Sequence, residues 1–129
     1  MNTAVNPTTI GAPAAAYSLG MRTTASSHLL HTSGIVATAA DGSIPEGLEQ
    51  QAQRIWYAIS EILIAGGFIL QDLISYTTYV VAGNDLSVVM AARDTALNGH
   101  KPASTLIVVP MLARPEWRME ISAIAAKEP

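Results

Sequence analysis

The stretch HKPASTLIVVPMLARPEWRMEISAIA, residues 100–125, contains two apolar segments joined by a loop. Each segment predicts a β-strand. Residues 106–109 are apolar at every position instead of alternating with polar residues, a pattern typical of a strand that is buried on both faces. The second strand contains a single acidic residue, Glu120. A complete fold must therefore cover both faces of the first strand and accommodate a carboxylate in the second.

Three further strands are predicted upstream of this stretch. Residues 15–24 and 27–37 are short extended runs in a hairpin-like arrangement, although the turn lacks an Asn-Gly or Gly-Gly pair. Residues 37–47 are rich in Gly, Asp and Pro and predict a loop. Residues 73–82 are rich in β-branched and aromatic residues and predict the third strand.

Two helices are predicted from residues at three- and four-residue spacing. The first ends at Gly66-Gly67. The second begins at an N-cap supplied by Asn84 or Asp85, and Gly99 stops it. The spaced positions are Leu48, Ala52, Ile55, Trp56, Ile59, Ile62 and Leu63 in the first helix, and Leu86, Val89, Met90, Arg93 and Leu97 in the second.

The resulting order, β-β-α-β-α-β-β, predicts an α+β fold in which two helices cover only one face of the sheet. The composition also indicates apolar surface that a single chain leaves uncovered. Of the 129 residues, 50% are hydrophobic and only 13% are charged, whereas about a quarter of the residues are charged in typical soluble domains. With no third helix available, the second face of the apolar strand must meet another subunit. The sequence therefore predicts a homo-oligomer packed sheet to sheet.

Residues 1–10 are predicted to form a flexible N-terminal arm, and residues 11–129 a single domain. The arm lacks the basic start and apolar core of a signal peptide. The longest apolar run is interrupted by Pro110 and falls short of the roughly 18 residues that a membrane span needs. Cytoplasm is therefore the expected location, with no membrane partner.

Charge and motif content exclude several classes of site. The net charge of −3 gives no basic footprint for nucleic acid, and the absence of cysteine removes disulfides and thiolate chemistry. His28 and His31 fall on opposite faces of a strand, so no metal site is predicted. Ser33 is outside a nucleophile-elbow motif, and Gly66-Gly67 lacks the spacing of a phosphate-binding loop. No cofactor is predicted.

Glu120 has two interpretations. Period-two alternation places Arg118, Glu120 and Ser122 on one face of their strand. A carboxylate in an inner strand is costly unless it is paired, hydrogen-bonded or exposed to a wet cleft. The first interpretation is a surface ion pair between Arg118 and Glu120 on an edge strand. The second is a general acid or base in a cleft between subunits.

Four motifs resemble, in order and spacing, the Rid family of YjgF-like enamine and imine deaminases, also known as L-PSP proteins. They are APAAAYSLG at 12–20, HTSGIVA at 31–37, HKPASTLIVV at 100–109 and RMEISAIAA at 118–126. The resemblance extends from about residue 11 to 126. It implies a chorismate-mutase-like fold, with two helices on one face of a mixed sheet. It also implies a trimer whose sheets form a barrel-like core, with one cleft at each subunit boundary.

The resemblance implies hydrolysis of reactive enamines or imines, formed by pyridoxal-phosphate enzymes, to a keto acid and ammonia. In this chain Tyr17 matches the family's pocket tyrosine, Ser33 its Thr-Ser-Gly serine and Glu120 its water-orienting glutamate. The family's arginine that holds the substrate carboxylate is replaced by Ser104, which Thr105 follows.

Loss of this arginine bears on the substrate. A serine hydroxyl cannot replace a bidentate guanidinium–carboxylate pair, so the chain is not expected to be a standard 2-imino acid deaminase. Met90 stands where the family has an asparagine. Substrate contacts are assigned to the backbone near Ser104 and Thr105 and to Arg118. Arg22, Arg93 and Arg114 are alternative anion contacts.

Two functions therefore stay open. The first is a small-molecule hydrolase or deaminase acting on an enamine, imine or related metabolite in a cleft between subunits. The second is a non-catalytic trimer of the same fold that binds a ligand or a protein. Ribonuclease activity is disfavoured, because the chain has neither a basic groove nor a histidine pair suited to phosphodiester chemistry.

Overall fold

The computed structural model describes residues 1–129. The fold is α+β, as predicted, with one strand more than the sequence indicates. The strands are β1 (Thr3–Val5), β2 (Gly20–Arg22), β3 (His28–His31), β4 (Leu73–Val81), β5 (Ala103–Val109) and β6 (Met119–Lys127). The helices are α1 (Leu48–Ala65) and α2 (Leu86–Leu97), and a single 3₁₀ turn, Leu70–Asp72, precedes β4.

Four strands form a mixed sheet in the order β3-β6-β4-β5. Strand β6 is antiparallel to both of its neighbours, whereas β4 and β5 are parallel. Parallel neighbours require a crossover connection, and α2 supplies it between β4 and β5. Strand β5 therefore lies at one edge of the sheet and β3 at the other, with the strand that carries Glu120 in the interior.

The predicted hairpin between the first two extended runs is wrong. Strand β2 pairs with β1, with Thr3 opposite Arg22, while β3 pairs with β6, with His28 opposite Lys127. The connection forms a turn in which the Ser27 N–H donates to the Thr24 carbonyl at 3.1 Å. It lacks the Asn-Gly or Gly-Gly pair of a tight hairpin, and each run pairs with a distant segment. The first ten residues include the exposed strand β1, and the flexibility assigned to them stays a prediction.

The helix boundaries follow the predicted signals. Helix α1 ends at Ala65, directly before Gly66. Helix α2 is capped by Asp85, whose Oδ1 accepts hydrogen bonds from the Ser87 hydroxyl at 2.7 Å and the Ser87 backbone N–H at 2.9 Å. These two bonds lower the pKa of Asp85. Gly99, with φ of 88°, occupies the left-handed region that terminates helices.

Both helices pack on the same face of the sheet. Alternate residues of β4 and β6 point towards them, so the core consists of the apolar positions of α1, the inward residues of the two central strands and the ends of α2. Its main members are Ile55, Trp56, Ile59, Leu63, Tyr76, Val80, Val89, Leu97, Met119, Ile121 and Ala123. None of the helices is long and apolar enough to cross a membrane.

The opposite face of the sheet carries no helix. It displays the other set of alternating residues, including Thr77 and Tyr79 of β4 and Glu120 and Ser122 of β6. On β5, Ile107 stands opposite Tyr79 on this face and remains 41% exposed, whereas Val108 stands opposite the buried Val80 on the helix side and is 51% exposed at the edge of the sheet. A single chain thus leaves the apolar strand only partly covered. We refer to this helix-free side as the open face.

Gln51 connects α1 to the segment that leads into β6. Its side chain is fully buried, and its Nε2 donates hydrogen bonds to the carbonyls of Pro45 at 2.7 Å and Glu116 at 2.9 Å. Its Oε1 accepts a hydrogen bond from the Arg118 backbone N–H at 2.9 Å. The one side chain therefore holds Arg118, the residue directly before β6, and sets where the strand begins.

Replacing Gln51 with leucine should destabilise the protein by roughly 2–4 kcal/mol. The substitution keeps the side-chain size but leaves three part-buried backbone groups without this partner. A fully buried group would cost about 1–3 kcal/mol, and partial access to water lowers the cost of each. Gln53→Leu, on the exposed side of the same helix, is the control and should change stability by less than about 0.5 kcal/mol. Urea unfolding at one protein concentration measures both, and equal midpoints would contradict the bracing role of Gln51.

Candidate functional site

The Glu120 carboxylate lies on the open face, against the backbone of Gly34. A methyl group added at residue 34 would overlap the carboxylate, so only glycine permits this approach. In the sheet register Glu120 stands opposite Tyr79 of β4, and Tyr79 stands opposite Ile107 of β5. Residues opposite each other share a face, so Tyr79 is the lateral neighbour of the carboxylate.

Ser33 and Gly34 form an irregularity in the chain beside β6. The backbone N–H of Thr32 donates to the carbonyl of Ala123 at 2.9 Å, and Ile35 exchanges hydrogen bonds with Ile121 at 2.7 and 3.0 Å. Two residues, Ser33 and Gly34, therefore lie opposite the single residue Ser122. This is the arrangement of a β-bulge, which often redirects side chains beside active sites. It places Ser33 one residue from the Glu120 contact.

The Arg118–Glu120 ion pair does not form. Arg118 precedes β6, and its Nε donates to the carbonyl of Glu46 at 2.7 Å, while its Nη1 donates to Asn84 Oδ1 at 3.2 Å. No salt bridge involves Glu120. The surface-pair interpretation of Glu120 is therefore wrong, because the guanidinium is bound by the Glu46 carbonyl, in the loop before α1, and by the Asn84 side chain.

Tyr17 lies beside the start of β5. In the strand order, β4 separates β5 from β6, the strand that carries Glu120 of the same chain. The Tyr17 hydroxyl accepts a hydrogen bond from the Ala14 backbone N–H at 3.2 Å. The next residue, Ser18, donates its backbone N–H to the carbonyl of Pro102 at 3.0 Å and its hydroxyl to the carbonyl of Lys101. The chain thus presents two separate groups of candidate residues, one around Glu120 and Ser33 and one around Tyr17 and the beginning of β5.

Ser104 and Thr105 face opposite sides of the sheet. Ser104 pairs with Tyr76 and points towards the helices, whereas Thr105 pairs with Thr77 and lies on the open face. Thr77 in turn stands opposite Ser122 of β6. Of the two residues predicted to contact substrate, only Thr105 therefore shares a face with Glu120.

A row of polar side chains on the open face was missed in the sequence analysis. A shallow cavity of about 170 Å³ is lined by polar residues of β3, β4 and β6, among them His31, Ser75, Thr77 and Ser122. The signal was present in β4, where Ser75, Thr77 and Tyr79 alternate with buried residues. The polar set continues the Glu120 group along the open face.

The largest cavity, about 500 Å³, lies elsewhere. It is a groove between α1 and α2, lined mainly by apolar residues such as Trp56, Tyr57 and Leu70, with Glu49 as its one charged residue. It is on the helix side of the sheet and does not include any predicted site residue. Groups of three or more potential metal ligands do not occur. Size alone is therefore a poor guide here, and the Glu120 group is the better candidate site.

Comparisons with known proteins support a single relationship. Residues 8–127 match the family model described as endoribonuclease L-PSP. The crystal structure of YyfB from Yersinia pestis, a protein of unknown function of the conserved Rid protein family, is similar with a TM-score of 0.87 and 29% identity over 98% of both chains. E. coli TdcF, solved with bound serine, gives a TM-score of 0.73 and 25% identity over 97% of this chain and 94% of TdcF. No curated protein matches the sequence.

Gly34→Ala should displace the Glu120 carboxylate while leaving the fold intact. The overlap falls on the end of a flexible side chain, so the free energy of unfolding should change by less than about 1 kcal/mol. Gly11→Ala is the control, since nothing lies within 4 Å of its added methyl group. Crystal structures of both variants check the expectation, and an unmoved carboxylate in Gly34→Ala would show that the close contact is absent.

Proposed function

Because the chain belongs to the endoribonuclease L-PSP family, which includes the Rid proteins, we propose that it is a small-molecule hydrolase. Its reaction would be the deamination of an enamine, an imine or a related reactive metabolite. The observation that carries the proposal is the placement of Glu120, unpaired by any cation, against the Ser33–Gly34 bulge on the open face. A carboxylate so placed is free to bind water.

The proposed chemistry is addition of water to a C=N bond. An enamine first takes a proton on carbon to become an imine. Glu120 accepts a proton from a water molecule as its oxygen attacks the imine carbon, and then returns the proton to nitrogen. Transfer of the carbinolamine's hydroxyl proton to nitrogen then forms the C=O bond, breaks the C–N bond and releases ammonia and a carbonyl product. One water is consumed, and no oxidant or cofactor takes part.

Hydroxyl and backbone groups would stabilise charge that develops during this addition. Ser33 is next to the Glu120 contact in the same chain. Tyr17 and the backbone near Thr105 lie around the start of β5, at one edge of the sheet and separated by β4 from the strand that carries Glu120. A second copy is therefore needed to bring the two groups into one cleft, where preorganised donors would act on the developing charge.

We further propose a homotrimer in which the open faces pack together. The apolar residues of β5 need a cover, and the two helices are already occupied on the other face. Burying the open face would place Glu120, Thr105 and the polar row in a cleft between copies. A cleft enclosed between copies in this way would admit a small molecule but would exclude a polymer.

Ser104 narrows the range of substrates. It points towards the helices and has no guanidinium with which to bind a carboxylate in bidentate fashion. The proposed substrate is therefore one that does not depend on an arginine at this position, unlike a standard 2-imino acid. The Nε and Nη1 groups of Arg118 donate hydrogen bonds to Glu46 and Asn84. One of these hydrogen bonds would have to break before either group could contact substrate.

The alternative proposal is a non-catalytic trimer that binds a ligand or a protein through the same cleft. The observation that favours it is again Ser104, because a site that has lost its anchor residue can keep its shape without turnover. Ribonuclease activity, which the family description names, is not proposed. The net charge is −3, and His100, with Nε2 at 2.7 Å from the Leu73 carbonyl, is engaged in the fold.

The protein should be a trimer at micromolar concentration. Packing of the open faces removes the exposed apolar strand from water, which at about 25 cal/mol per Å² is a substantial driving force. Light scattering coupled to size-exclusion chromatography gives the mass directly. A stable monomer would show that the open face tolerates solvent and would remove the basis for a shared cleft.

Glu120→Gln should abolish turnover without disturbing the assembly. The change keeps the side-chain size and removes the proton acceptor, so the expected loss in kcat is about 10²–10⁴-fold, the usual contribution of a positioned acid or base. Glu61→Gln, on the exposed side of α1, is the matched control and should keep full activity. Ammonia release from freshly generated imines and enamines, with and without a carboxylate, is the assay.

Three results separate the proposals. Loss of activity in Glu120→Gln with an unchanged mass supports catalysis. Unchanged activity in Glu120→Gln would exclude Glu120 as the acid or base. If the wild-type protein fails to accelerate hydrolysis of any of these compounds over buffer, the non-catalytic alternative is the one to retain.

A further inference from the structure

The groove between α1 and α2, which we call the helix groove, has the dimensions of a small-molecule site. Its volume of about 500 Å³ lies within the range of roughly 300–1,000 Å³ that is usual for such sites. None of its lining residues belongs to the Glu120 group. The proposed trimer packs the open faces together, so the helix groove would stay open to solvent in the assembly.

Small side chains on α2 create the space in the helix groove. Helix α2 contributes Ala91, Ala92 and Ala96, whereas α1 contributes the rings of Trp56 and Tyr57. Trp56 is only 4% exposed and belongs to the core, so it forms a fixed floor. Tyr57 is 57% exposed and forms part of the rim. Because alanine ends at its β-carbon, α2 leaves an apolar space beside the two rings that a ligand could fill.

One end of the helix groove carries a negative charge. Glu49 lies in the first turn of α1 and is the one charged residue in the lining. It is exposed, and none of the ion pairs in the chain involves it. Ser60, at the other end of the α1 wall, is about 16 Å further along the helix axis. The groove is therefore elongated, with a carboxylate at one end and an apolar middle.

Arg54 is the cation beside this region, and it does not line the groove. Its guanidinium carbon stands 5.5 Å from the centroid of the Tyr57 ring, which is the distance of a cation–π contact. Arg54 is thus directed to the tyrosine ring and leaves the Glu49 carboxylate without a counter-ion. The charge of the groove itself favours a positively charged ligand.

We propose that the helix groove binds an organic ammonium ion with an apolar body. The ammonium group would lie beside Glu49, and the apolar body would lie between the aromatic rings of α1 and the alanines of α2. Attraction to the carboxylate and burial of the apolar body act together. An organic anion of the same shape would be repelled by Glu49. The site stands on its own residues and does not rest on catalysis at Glu120, which lies on the opposite face of the sheet.

Fluorescence of Trp56 measures binding in the helix groove. Trp117→Phe leaves Trp56 as the sole tryptophan. Titration of this protein with 4-phenylbutylamine should give a saturable change with a Kd of about a millimolar or tighter, as expected for a ligand of this size. The neutral 4-phenylbutan-1-ol should bind about twofold to fivefold more weakly, the usual contribution of an exposed ion pair. The anion 4-phenylbutyrate should bind more weakly still.

Two variants separate the charge from the space. In the same background, Glu49→Gln should make the amine and the alcohol bind equally, while Glu61→Gln, an exposed residue of α1 outside the groove, should keep the preference for the amine. Ala91→Phe places a ring in the groove and should weaken binding of the amine at least tenfold. Ala65→Phe adds the same bulk at an exposed position outside the groove and should leave the affinity unchanged.

Four outcomes would overturn the proposal. The first is a linear fluorescence response that is equal for the amine and the carboxylate. The second is a preference for the amine that persists in Glu49→Gln, and the third is an Ala91→Phe variant that binds as tightly as its parent. The fourth is a mass of two trimers by light scattering that Ala91→Phe reduces to one, because another copy of the chain would then occupy the groove.

Discussion

Two helices cover one face of the four-stranded sheet and leave the other face to solvent. The covered face contains nearly all of the buried apolar residues. The open face contains Glu120, a polar row and the exposed part of β5. Burying apolar strand surface is favourable, and the chain has no further element to do it. In the proposed trimer, the contact between subunits and the candidate site would therefore share this face, and neither would be complete in one copy.

Local backbone geometry determines which groups surround the Glu120 carboxylate on the open face. Gln51 sets the start of β6 through three hydrogen bonds, and the β-bulge at Ser33 and Gly34 leaves space into which the Glu120 side chain fits. Arg118 is drawn away by a loop carbonyl, so the carboxylate keeps no cationic partner. A structural ion pair would have neutralised it. The arrangement instead leaves an acceptor beside hydroxyl groups, which is what activation of a water molecule requires.

The sequence predicts much of the fold and less of the site. Each helix ends close to the glycine that comes after its run of apolar residues at helical spacing. At these ends the local propensity of the residues and the end of the hydrophobic stripe indicate the same boundary. The partners of β2 and β3 were not predictable, since pairing is set by distant segments. Period-two alternation placed Arg118 beside Glu120, but β6 begins one residue later. The contact of Gly34 with Glu120 arises from a bulge, which leaves no sequence pattern.

A crystal structure of the assembled protein would show what surrounds the Glu120 carboxylate in relation to the other copies. Each carboxylate should lie in a cleft between two copies, with Tyr17 or Ser33 lining the same cleft and at least one wall contributed by the neighbouring subunit. A Glu120 carboxylate directed to bulk solvent, remote from Tyr17 and Ser33 of every copy, would contradict it.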